Sequence, residues 1–102
     1  MTWTVVGELH DFPTDVPIAV VAEGVPICMV HTGGEVYAVH DECTHAAVPL
    51  SEGEVSECTI ECLMHGSRFD LRTGATLNLP ATKAVRTYPV RVIDGQVQIA
   101  AT

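Results

Sequence analysis

No lysine or arginine occurs in the first 67 residues, although eleven of the thirteen acidic side chains lie there. The five basic residues, Arg68, Arg72, Lys83, Arg86 and Arg91, all follow, and the net charge is −8. Such a chain repels phosphate backbones and anionic lipid, which excludes nucleic acid and membrane surfaces as partners. It is steered toward a basic patch on another protein, although a charge count of this kind also serves solubility alone. No unbroken apolar run approaches the ~18 residues of a membrane span. The start, Met-Thr-Trp-Thr-Val-Val-Gly-Glu, has neither the basic flank nor the apolar stretch of a signal peptide, so a cytoplasmic location is expected. Cysteine is scarce, four in 102 residues, which argues against a disulfide framework. The length suits one domain, residues 1–102, with a modest core.

Long helical periodicity is also missing. Short β-prone runs alternate with turns instead. Pro17–Ala22 and Val25–His31 flank Glu23-Gly24 as the arms of a hairpin, and Glu35–His40 follows Gly33-Gly34. Val90–Ile93 and Gln96–Ala100 flank Asp94-Gly95, a strong signal for a two-residue turn. Residues 5–11 fit either a strand end or a short turn. Five or more closely spaced strands imply an all-β fold, an antiparallel sandwich or barrel. The segment from about 41 to 83 is expected to form a small subdomain inserted into a base made by the terminal strands.

Four residues carry the chemistry. Cys43 and His45 form a Cys-x-His pair, Cys62 and His65 form a Cys-x-x-His pair, and sixteen residues separate them. Each pair follows a short strand and sits in a loop, so two loops facing each other can grip a metal group between their tips. Two thiolates and two imidazoles suit a [2Fe-2S] cluster of mixed ligation, and they also suit tetrahedral zinc. The one-residue gap of the first pair counts against zinc, leaving a zinc-stabilised interaction module as the weaker alternative.

Three further stretches extend the pattern: Gly66-Ser67 after the second pair, Phe69-Asp70-Leu71-Arg72-Thr73-Gly74, and Leu77-Asn78-Leu79-Pro80-Ala81-Thr82. With the four ligand positions they resemble the Rieske [2Fe-2S] family, most closely its soluble ferredoxins from bacterial aromatic-ring dioxygenase systems. The resemblance implies the Rieske fold and one [2Fe-2S] cluster per chain. Cys43 and Cys62 would hold one iron, with His45 and His65 on the other. It implies a proline-containing loop over the cluster and one-electron transfer from a flavin-dependent reductase to a terminal oxygenase. The imidazole-bound iron is the one expected to become ferrous, and the imidazole edges are expected to face solvent, coupling potential to alkaline pH. Exchanging two thiolates for neutral imidazoles brings the oxidised cluster from a formal charge of roughly −2 to about zero, which raises its potential.

Departures from the high-potential respiratory members matter. Their extra loop cysteines correspond here to Val48 and Met64, and their tyrosine near a ligand sulfur to Phe69. Ser67 keeps one hydroxyl donor. Fewer donors imply a potential at the low end of the range, on the order of −150 mV. A ferredoxin of the same design serving another pathway, such as iron–sulfur assembly, remains an open alternative.

The chain is not itself expected to be an enzyme. It has no glycine motif for flavin or nicotinamide and no second set of two histidines and a carboxylate for a mononuclear iron. Cys28, in an apolar run, is expected to be a buried hydrophobe, and Cys58 a stray thiol or core filler. A Cys28–Cys58 disulfide is disfavoured by the expected compartment. His10, His31 and His40 are expected at the surface. Trp3, Phe12, Tyr37, Phe69 and Tyr88 read as core anchors, and Pro80 as a rigid residue that excludes water without leaving a donor unpaired.

Overall fold

In the computed structural model, which describes residues 2–64 and 66–101, hydrophobic alternation sets the layers. The strands are β1 (Thr4–Glu8), β2 (Ile18–Ala22), β3 (Val25–Thr32), β4 (Glu35–His40), β5 (Glu54–Ser56), β6 (Thr59–Glu61), β7 (Arg68–Asp70), β8 (Thr87–Tyr88), β9 (Val90–Ile93) and β10 (Gln96–Ile99). Only two single turns of 3₁₀ helix, Leu9–Asp11 and Leu50–Glu52, interrupt them among the described residues. The fold is all-β, in three antiparallel sheets: a terminal sheet β1-β10-β9, a central sheet β2-β3-β4-β8 and a small sheet β5-β6-β7.

The expected hairpins form with their strand ends within one residue of the sequence reading. Ala22 pairs with Val25 across Glu23-Gly24, and Ile93 pairs with Gln96 across Asp94-Gly95. Both residues of each turn have positive φ, the geometry whose twist matches the flanking strands. Residues 5–11 divide between the end of β1 and the first 3₁₀ turn.

In the central sheet, β3 and β4 are covered on both faces, whereas β2 turns Ala19 and Val21 to solvent. Ile27, Met29 and Ala38 point to one side, where they meet Val97, Ile99 and Tyr88. Cys28, Val30 and Val39 point to the other, where they meet Leu50, Ile60, Phe69 and Leu71. The alternation in β3 and β4 therefore separates two cores rather than a core from water, because a sheet packs on each side. The first core cements the terminal and central sheets into a sandwich. The second attaches the small sheet, whose strands all lie between the ends of β4 and β8 in sequence. Burying Phe69 alone contributes roughly 1.5–3 kcal/mol.

Two glycines permit close backbone packing within the segment between β4 and β8. A Cβ on Gly53 would stand 1.8 Å from the Glu61 carbonyl oxygen, and one on Gly74 would stand 2.0 Å from that of Val85. Only a residue without a side chain lets these backbones approach so closely.

Several expectations are corrected. His31 and His40 are half-buried, with Nδ1 of His31 at 3.0 Å from the Phe12 carbonyl and Nδ1 of His40 at 3.2 Å from the Tyr88 hydroxyl. Each ring meets a group from a distant segment, Phe12 or Tyr88, on a stretch of sheet covered on both faces, so strand alternation does not turn it to solvent. Trp3 belongs to neither buried core and instead lies under the Arg91 guanidinium, 4.2 Å from the ring centre. Cys28 is fully buried, as expected, Cys58 is partly so, and both are free thiols. Cys58 lies in the turn before β6.

Candidate metal centre

The first ligand loop leaves the end of β4 and is closed at its base by Asp41. One carboxylate oxygen of Asp41 accepts from the Ser51 amide and the other from the Ser51 hydroxyl, both at 2.7 Å. Within the loop the Cys43 amide donates to the Val48 carbonyl at 2.9 Å. The second loop, after β6, repeats this device, the Cys62 amide donating to the Ser67 carbonyl at 2.7 Å. Each cysteine amide is thus satisfied by the carbonyl five positions on, which curls the loop and turns the thiol inward.

The two thiols meet. Cys43 and Cys62 are both buried, in one core with Phe69 and Leu50 beneath them. Burial, then a hydrogen bond with Cys43, pushes the Cys62 thiol above its ordinary pKa, while the Met64 backbone amide, donating to its sulfur, pulls the other way. His45 lies in the exposed part of the first loop. His65 lies outside the described residues. Among the described residues no three His, Cys, Asp or Glu side chains form a metal cage by themselves.

A third segment fastens both loops. The Thr44 hydroxyl, between Cys43 and His45, donates to the Lys83 carbonyl at 2.7 Å. The Arg68 amide donates to Oδ1 of Asn78 at 2.6 Å, and Nδ2 of Asn78 donates to the Gly66 carbonyl at 3.0 Å. Ser67, wholly buried, accepts at Oγ from the Ala81 amide at 3.0 Å. The Thr76 hydroxyl lies 3.2 Å from the Asn78 carbonyl and 3.0 Å from that of Ala81, which folds the segment on itself. Asp41, Thr44 and Asn78 were not singled out as individuals by sequence reasoning. Asn78 lay inside a recognised motif, whereas nothing in sequence joins Asp41 to Ser51 or Thr44 to Lys83.

This donor set fits an iron–sulfur group. The buried Cys62 thiol resists ionisation unless a cation replaces its proton, and soft thiolates favour iron–sulfur or zinc over hard oxygen-binding ions. The amide at the Cys62 sulfur is a donor already in place for a thiolate.

The model of the Rieske [2Fe-2S] domain matches residues 2–89. The chain belongs to the Rieske [2Fe-2S] domain family. Its cofactor is accordingly a [2Fe-2S] cluster, and it is an electron carrier rather than an enzyme. The anthranilate 1,2-dioxygenase ferredoxin subunit of Burkholderia cepacia is 42% identical over 97 residues, covering 95% of this chain and 90% of that protein. The ferredoxin of carbazole 1,9a-dioxygenase from Nocardioides aromaticivorans superposes over 100% of both chains, with a TM-score of 0.96 and 35% identity. The ferredoxin solved in complex with the oxygenase of carbazole 1,9a-dioxygenase matches with a TM-score of 0.90 at 32% identity, over 96% of this chain and 92% of that one. The expected fold and ferredoxin likeness are thereby borne out. No described helix is long and apolar enough to cross a membrane.

Proposed function

We propose that Cys43 and Cys62 hold one iron, that His45 and His65 hold the other, and that this Rieske ferredoxin carries single electrons from a flavin-dependent reductase to a terminal oxygenase acting on an aromatic ring. The observation that carries the ligand assignment is the meeting of the two buried thiols from two similarly curled loops. The acceptor assignment rests on likeness to ferredoxin components of aromatic dioxygenase systems. A cytoplasmic setting accords with four free cysteines.

When bound, the cluster supplies a centre that takes up and returns one electron. The chain's own residues do the rest. Phe69, Leu50 and Leu71 pack behind the thiols and keep water from that side. Leu63, Met64, Leu77 and Leu79, on the second loop and the fastening segment, are exposed, at 63%, 44%, 53% and 75% respectively. Large apolar side chains presented on the loops around a redox centre form a dry contact for a docking partner, which shortens the electron path. The excess of acidic residues steers the encounter toward a basic surface.

The test is reconstitution with a purified flavin reductase and ring-hydroxylating oxygenase. Nicotinamide oxidation coupled to ring hydroxylation, dependent on this chain, is expected. Reduction of the chain without any transfer to aromatic-ring oxygenases would redirect the proposal to another acceptor.

A further inference from the structure

Asn78 occupies a position that only a primary amide can serve. Its side chain faces a backbone N–H on one side, Arg68, and a backbone carbonyl on the other, Gly66. A carboxylate offers no donor to Gly66, and a hydroxyl is too short to span both. These contacts flank Ser67 on either side, and Ser67 is itself tied to the same segment through the Ala81 amide. The Gly66 carbonyl directly follows His65 in the chain. Gly66 has φ of 72°, so this backbone is in the left-handed region and has no regular ladder to keep it there.

We propose that Asn78 is a positioning residue for the second ligand loop: its amide fixes the backbone of Gly66 and Arg68, C-terminal to the proposed ligand His65, and thereby sets the geometry that this loop offers the cluster. The inference rests on the assignment of His65 as a ligand. Thr44, bonded to Lys83 at the far end of the same segment, ties the first loop to the same support. One segment therefore holds the two loops at a fixed separation, and Asn78 is its grip on the second.

The experiment uses anaerobically reconstituted protein with Asn78→Ala and Asn78→Asp variants. Three quantities are read: the reduced-state electron paramagnetic resonance spectrum, the rate of visible absorbance loss under an iron chelator, and far-ultraviolet circular dichroism. A wild-type spectrum of mixed nitrogen and sulfur ligation tests the ligand reading by itself, before any variant is considered. For Asn78→Ala, an altered and broadened rhombic spectrum is expected, with absorbance loss roughly fivefold faster and unchanged secondary structure. Asn78→Asp keeps the acceptor and loses the donor, so it is expected to behave like the alanine variant. A resonance spectrum identical to wild type in Asn78→Ala would overturn the inference even if the cluster were lost faster, since that pattern marks a merely structural bond. Wild-type behaviour in Asn78→Asp would overturn it as well, because it would remove the need for an amide. If Asn78→Ala fails to fold, the aspartate variant decides alone.

Discussion

The Ala81 backbone amide donates to the Ser67 hydroxyl oxygen at 3.0 Å, and Ser67 has no solvent exposure. Because that oxygen already serves as acceptor, the hydroxyl proton is directed elsewhere, on the same loop that carries Cys62. Ser67→Ala deletes a donor beside the proposed cluster site and leaves the Ala81 amide without its acceptor. The reduction potential falls, since the added charge of the reduced form loses a hydrogen bond, and stability drops by roughly 1–3 kcal/mol. Film voltammetry and thermal unfolding read the two effects separately.

The turn between β5 and β6 is the hairpin whose shape sequence does not announce. Glu57 and Cys58 have φ of 50° and 60°, and neither is glycine, asparagine or aspartate. Cys58 is held there by its packing, with Tyr37, against the second core. Glu57 is exposed. Glu57→Asn relieves the left-handed strain and raises stability by about 0.5–1 kcal/mol. Denaturant unfolding with an unchanged slope is the check.

Burial, and secondarily the Asp41 charge, pushes the Cys28 thiol up to about 12. The thiolate is the reactive form, so its fraction at pH 8 is small and grows about tenfold per pH unit up to that value. Iodoacetamide at pH 8 therefore labels the half-buried Cys58 well before Cys28, and mass spectrometry of the folded holoprotein reads the order. The sign on stability follows: an unfolded chain ionises this thiol near its ordinary value of 9.0, so stability falls between pH 9.0 and about 12. Below pH 9.0 this thiol leaves stability unchanged.

Leu79 is 75% exposed on the fastening segment. Leu79→Asp is expected to raise the oxygenase half-saturation constant about tenfold, the scale of one lost apolar contact plus an unpaired charge. The reduction potential stays within error of wild type. A coupled assay at fixed reductase distinguishes docking from electron affinity.

Most of the framework was legible in the sequence for a physical reason. Asp94-Gly95 and Glu23-Gly24 are local signals, and β4 was bounded correctly because Gly33-Gly34 precedes it and Asp41 follows. What escaped was non-local. The double-sided burial of Val36–Val39 depends on two sheets distant in sequence, so His40 was assigned to the surface although its ring meets Tyr88. The Glu57-Cys58 turn was hidden because tertiary contacts impose it against local preference. At the site, Cys43 and Cys62 were legible from spacing, whereas Asp41, Thr44 and Asn78 act through backbone partners that spacing does not reveal.

Pulsed electron paramagnetic resonance of the dithionite-reduced protein, grown with nitrogen-15 histidine, bears most directly on the ligand assignment. Strong couplings from two histidine nitrogens are predicted, with one lost in His45→Cys. A paramagnetic cluster without nitrogen coupling, or a colourless protein holding zinc, would contradict it.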